Sequence, residues 1–184
     1  MTPDDSSSSA PAKAAEAVTY TAQSEKAAYG RTEEKPVGSY AAVTGAYGAT
    51  VVAFSAAVKV TGRELPERLA FADIALIGVA THKLARLVTK DKVTSFLWVP
   101  FTEFDEDTGS GEVLEQPRGS GPRQAIGELL GYPFCLALWV ATGFTYGMVF
   151  APRATRLATS MFTATAAADF LQYAYAATQQ KVEG

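Results

Sequence analysis

The sequence predicts an all-α protein, a helical integral membrane protein of about four transmembrane helices behind a disordered N-terminal head. Three observations carry that expectation. Between Leu129 and Ala151 no charged side chain occurs, which matches the ~20 apolar residues a helix needs to cross a ~30 Å hydrocarbon core. Three weaker apolar segments lie at residues 39–58, 69–88 and 155–177. The mean hydropathy of +0.05 is low for a chain made only of spans and high for a soluble one, as apolar runs joined by charged loops would give.

Composition bounds the chemistry. A chain of 184 residues has room for one domain. The expected division is a disordered tail over residues 1–36, a helical membrane domain over 37–178 and a short tail over 179–184. A net charge of −3 and a pI near 5.2 give no sign of a nucleic-acid binder. Cys135 is the only cysteine and His82 the only histidine. An internal disulfide, a multi-cysteine metal site and a histidine-rich centre are therefore excluded. No nucleophile, base and orienting group form a recognisable motif. Neither enzymatic activity nor a cofactor is expected.

The head holds Asp4-Asp5, four consecutive serines from Ser6 and Ala-, Glu- and Lys-rich sequence without an aliphatic run, so it cannot offset the entropy of ordering itself. It also lacks the basic start and apolar core of a secretory signal. In the first apolar segment Ala41, Gly45, Ala49, Ala53 and Ala57 recur at every fourth position, a smooth stripe against which a second helix can pack closely in a membrane. An Ala-rich segment also produces such spacing by chance, and it would suit a buried helix of a soluble bundle.

Pro66 is expected to open the second helix, since a first helical turn tolerates proline. That segment carries Asp73 near its start and His82, Lys83 and Arg86 towards its end. It spans only if Lys83 and Arg86, three apart on one face, snorkel to a headgroup layer; otherwise it lies in the interface. Asp91 fits an N-cap for a short aromatic helix over residues 93–99, of interfacial character. Residues 101–124 are expected to be a solvated polar loop. Its Glu103, Asp105, Glu106 and Asp107 lack the ligand spacing of a calcium loop.

Pro133 starts the third segment, in which Gly143 and Gly147 form a GxxxG packing pattern. A tight turn at Ala151-Pro152-Arg153 leads to the fourth, which contains Asp169. A carboxylate at membrane depth is costly and marks a functional site by default, with Asp73, His82, Lys83 or Arg86 as partners. The plainer reading, that Asp169 lies within a turn or two of an interface, weighs more. With four spans both termini share one side with the central loop, and its lysines and arginines place that side in the cytoplasm.

Two blocks acquire meaning together: Thr81-His82-Lys83-Leu84-Ala85-Arg86-Leu87-Val88-Thr89-Lys90-Asp91, and Gly131-Tyr132-Pro133-Phe134-Cys135-Leu136-Ala137-Leu138-Trp139-Val140. They resemble a bacterial membrane-protein family, domain of unknown function 1360, with an Arg-Leu-x-x-x-Asp block and a later Cys-Pro-x-Cys-x-x-x-Trp block. Arg86, Asp91, Pro133, Cys135 and Trp139 match. Tyr132 stands where the family pattern has its first cysteine, so a dithiol within one chain is not available. The resemblance covers roughly residues 69–177 and implies a bacterial cell membrane location and a helical fold; one family member is associated with sporulation in bacilli. It implies no activity. Read as a helix, the second block starts at Pro133 and packs Cys135 and Trp139 on one face.

Three functions remain in play. The leading one is a non-enzymatic scaffold, anchor or assembly factor whose partners are the lipid bilayer and either another protein or further copies of itself. The second is a small transporter, channel or membrane enzyme built on a polar cluster of Asp73, His82 and Asp169. The third is a helical structural subunit of a soluble or peripheral assembly.

Overall fold

The computed structural model describes residues 13, 15–21, 37–109 and 111–183. Residues 15–21 are helical and exposed; most of the head, and with it most of the disorder expected there, lies outside the described residues. The rest is largely helical, with one two-stranded sheet. In chain order come α1 (Val37–Val60), α2 (Phe71–Lys90), a 3-10 turn (Ser95–Leu97), β1 (Thr102–Gly109), β2 (Glu112–Pro117), α3 (Pro122–Gly131), α4 (Pro133–Phe150) and α5 (Pro152–Glu183).

Local chemistry explains where these helices stop. After α1, Gly62 adopts φ +62°, while its N–H donates to Lys59 O and that of Arg63 to Val58 O. This pair of bonds is a Schellman cap, which glycine enters without the Cβ penalty of a left-handed residue. Pro66 does not open α2, as the sequence led us to expect. The chain stays irregular to Ala70, and the helix begins at Phe71 with Asp73 in its first turn, where a carboxylate complements the helix dipole. Proline at the first position sets the start of α3, α4 and α5. Before Pro133, Tyr132 is extended (φ −113°, ψ 111°), as the ring of a following proline requires. The apolar run over residues 129–151 is therefore divided, its first residues ending α3 and the rest forming α4.

The polar loop expected over residues 101–124 is instead a β-hairpin leading into α3. Thr102 pairs with Pro117 and Asp107 with Val113, with irregularities between Phe104 and Glu106 and between Asp107 and Gly109. Gly111 turns the chain at φ +81°. The hairpin is held at both ends: Thr102 at its base and Val113 beside its turn are buried, and α3 packs on β2. Gly127 makes that packing possible, because a Cβ there would lie 2.4 Å from Phe101 O and 3.1 Å from Pro117 Cα. The short aromatic helix expected over residues 93–99 is reduced to the 3-10 turn. Thr94 and Trp98 fold it back, donating side-chain hydrogen bonds to Leu87 O (2.5 Å) and Val88 O (2.7 Å).

The four long helices alternate in direction. From α2 to α5 the contacts run in the same order along both, Arg156 with Asp73, Thr163 with Leu76 O and Asp169 with Lys83, so these two are parallel. From α1 to α4 they do likewise: Tyr47 with Thr142, Ser55 with Tyr146 and Arg63 with Val149 O. A single residue, Ala151, separates α4 from α5, so those two are antiparallel. One end of the bundle thus carries the start of α1, the hairpin and α3; the other carries the 61–70 connection and the turn at Ala151. Among the described residues α1 and α4 are long and apolar enough to cross a membrane. That is two helices where four were expected: α2 carries Asp73, Lys83, Arg86 and Lys90, and α5 is rich in small and polar residues.

Candidate functional site

A cleft of about 680 Å³ lies between the last turns of α2, the middle of α5 and the start of β2. One helical stretch supplies its basic wall. His82, Lys83 and Arg86 are spaced one, three and four apart, which brings them to neighbouring strips of α2. Asp169 stands opposite on α5, its Oδ2 2.5 Å from Lys83 Nζ. Glu112 stands opposite on β2, accepting through both carboxylate oxygens from Arg86 Nη2. The Lys83 side chain is the more enclosed of the two cations, at 18 % exposure against 42 % for Arg86. Leu87, Ala166 and Phe170 add an apolar border.

At the far end of the same helices, Asp73 is buried (8 % exposed). Arg156 meets it with Nε and Nη2, each 2.9 Å from one carboxylate oxygen. This paired, fork-shaped contact is the arrangement that guanidinium and carboxylate planes favour. Asp73, His82 and Asp169, grouped as one polar site from sequence, are therefore split. His82 and Asp169 share the cleft, while Asp73 belongs to a separate pair nearly three helical turns away. Glu112, unremarked in sequence, completes the site. Its position could be inferred only once the hairpin was known to bring β2 back against α2.

The first motif block now has a physical role. Arg86 ties α2 to β2. Asp91, just past the end of α2, accepts from Val93 N at 2.8 Å with its carboxylate and bridges to Glu112 through its backbone. Asp91 thus closes a local turn after α2 and joins it to the start of β2. It is not the N-cap of a helix over residues 93–99 that the sequence leads us to expect, and the residue before the 3-10 turn is Thr94. In the second block Trp139 sits edge-on to Tyr47 of α1 (5.3 Å between ring centroids), whereas Cys135 is free and exposed. The shared packing face expected for these two residues is used by the tryptophan. The family model described as "Protein of unknown function (DUF1360)" matches residues 76–175, a stretch that contains both blocks and every residue of the two cross-cleft pairs. The chain belongs to this family. No curated protein and no solved structure matches it. The DUF1360 region leaves out α1 and Asp73 but contains the cleft except for Ala176 at its edge.

The packing residues divide as well. A Cβ on Gly147 would fall 2.6 Å from Thr155 Oγ1, so this glycine permits the tight α4 to α5 turn; Gly143 meets nothing within 4 Å. Gly45, Ala49 and Ala53 are exposed on α1, facing away from the other helices of the chain. Among the described residues no group of three or more His, Cys, Asp or Glu side chains is placed to hold a metal ion.

Proposed function

We propose that this DUF1360 protein is an integral membrane protein of the bacterial cell membrane that crosses the bilayer four times and serves as a non-enzymatic scaffold, anchor or assembly factor. The observation that carries this reading is the exposure of α1 and α4. Both are apolar along their length, yet α1 buries only Val58 and α4 only Met148. A core helix of a soluble protein buries such a surface against its neighbours; here it is left for lipid. The alternation of helix directions supports two further crossings by α2 and α5, in which Asp73, Lys83, Arg86, Arg156 and Asp169 meet partners within the chain as membrane-embedded charges must. The hairpin end bears Lys83, Arg86, Lys90, Lys92, Arg118 and Arg123, against Lys59, Arg63, Arg68, Arg153 and Arg156 at the other. The positive-inside rule then sets the hairpin and both termini in the cytoplasm.

An alkaline carbonate wash tests insertion: the protein stays in the membrane pellet, whereas release into the supernatant would overturn the reading in favour of a peripheral assembly subunit. Sidedness is tested with single cysteines in a Cys135→Ser background. A membrane-impermeant maleimide labels Glu64→Cys from outside intact cells and labels Gln116→Cys only after lysis. The reverse pattern would invert the topology.

The cleft favours a second reading, a small transporter, channel or membrane enzyme that uses Asp169. Asp169→Asn, at unchanged protein level, then abolishes a flux or growth phenotype; an unchanged phenotype counts against it.

A further inference from the structure

The two ion pairs of the cleft segregate charge by wall. Every cationic or imidazole group that lines it, His82, Lys83 and Arg86, comes from α2. The carboxylates paired with them come from other elements, Asp169 from α5 and Glu112 from β2. Asp91, the remaining carboxylate of the lining, is occupied by its cap on Val93 N. A ligand that enters between the walls must part at least one of these pairs. An anion alone would take the cation and strand the carboxylate; a cation alone would do the opposite. Stranding one member of a partly buried pair is unfavourable, because its lost partner is not replaced. A zwitterion avoids that penalty, since its negative group meets α2 and its positive group meets Asp169 or Glu112.

Position narrows the class. With 1.5 Å of rise per residue, Lys83 and Arg86 lie about 10 Å and 6 Å from the hairpin end of α2. In the four-span reading, on which this inference rests, that is the depth at which basic side chains reach the headgroup layer. Ala166, one turn before Asp169 on α5, borders the charges on the side of the bilayer core, and Leu87 and Phe170 border them on the hairpin side, so the cleft has an apolar rim on which glycerol and the first acyl carbons would rest. We infer that the cleft binds the headgroup of a zwitterionic phospholipid, phosphate towards Lys83 and Arg86 and ammonium towards Asp169 and Glu112.

The test uses the full chain in nanodiscs of defined composition, with bound lipid counted by native mass spectrometry. Phosphatidylethanolamine is retained over phosphatidylglycerol by about tenfold or more. The double variant Lys83→Gln with Asp169→Asn, which strands no charge, loses that preference. Equal retention of the two lipids by the wild-type chain overturns the inference. So does displacement of the lipid by soluble phosphoethanolamine at comparable concentration, which would assign the site to a free zwitterion. Should the variant not insert, the two wild-type comparisons still decide. Failure of the membrane reading is recognised separately, by release of the wild-type chain in carbonate, whereas lost selectivity in a chain that stays inserted strikes the headgroup assignment alone.

Discussion

Two helix seams run through this molecule, and they are built from opposite materials. Along the paired lengths of α1 and α4 the contacts are aromatic and uncharged, and the charged group at this seam, Arg63, lies past the end of α1, where it reaches Val149 O and the Phe150 ring. Tyr146 stacks on Phe54 (4.8 Å between centroids) and its hydroxyl lies 2.8 Å from Ser55 Oγ. Tyr47 meets both Trp139 and Thr142. Between α2 and α5 the contacts are ionic at each end, Asp73 with Arg156 and Lys83 with Asp169, joined by a Thr163 hydrogen bond to Leu76 O and small residues such as Ala80 and Ala166, both almost fully buried. The first seam is made of side chains a bilayer tolerates singly. The second works only as complementary sets, so any single loss leaves a charge without its partner. Tolerance to substitution should differ accordingly.

The largest effect is expected where the two seams are fastened together. Gly147→Val places side-chain atoms where Thr155 already packs, and Thr155 is buried in the first turn of α5. Overpacking of this kind costs about 1–3 kcal/mol, and it also displaces Arg156, one residue on, from Asp73. Unfolding in detergent, followed by circular dichroism, should show the loss. An unchanged midpoint would mean that the turn relaxes without cost and that the seams are not coupled there.

Next comes the ionic seam itself. Arg156→Gln leaves buried Asp73 without its two guanidinium contacts, and the yield of folded protein should fall. Adding Asp73→Asn should recover most of it, since two neutral amides can satisfy one another. A double variant as poor as the single one would show that Asp73 is held for a reason other than this pair. On the uncharged seam, Tyr146→Phe keeps the stack on Phe54 and removes one hydroxyl. A loss of about 1 kcal/mol is expected, with no rescue needed from a second site.

The same contrast explains what could be read from the chain beforehand. The α1 and α4 helices announced themselves because hydropathy sees an uncharged run directly. For α2 and α5, Asp73, Lys83 and Asp169 interrupt the apolar pattern, and the pairs that compensate them are 83 and 86 residues apart in sequence. Periodicity cannot report such a distance. Lys83 is nonetheless one of four partners, with Asp73, His82 and Arg86, that the sequence offers Asp169, because a lone carboxylate in an apolar segment demands one. Asp73 falls outside that cluster because it lies near the start of α2, at the opposite end of the bundle from Lys83 and Asp169, as the four-span order already implies. The hairpin escaped notice for a different reason. The acidic run from Glu103 to Asp107 reads as solvent-exposed sequence, and it is exposed; what holds it as a strand is tertiary, through Arg86, the buried Val113 and the bare backbone of Gly127.

Gly143 offers the smallest effect and the sharpest separation of motif from use. It belongs to the same GxxxG pattern as Gly147, four residues away, yet space around it is open to at least 4 Å. Within one chain Gly143→Ala therefore meets no steric obstacle, and the gain in helix propensity is worth at most about 1 kcal/mol. Unfolding should be unchanged or slightly later than in the wild-type chain. Gly143→Leu distinguishes the chain from its surroundings. A monomer in lipid accommodates the larger side chain with the fold intact, as judged by the same unfolding midpoint. If the midpoint holds while cross-linking between copies is lost, the outward half of the motif, like the exposed stripe of Gly45, Ala49 and Ala53, packs against something other than its own chain. A fall in the midpoint itself would instead place Gly143 inside the fold, against the open geometry that separates it from Gly147.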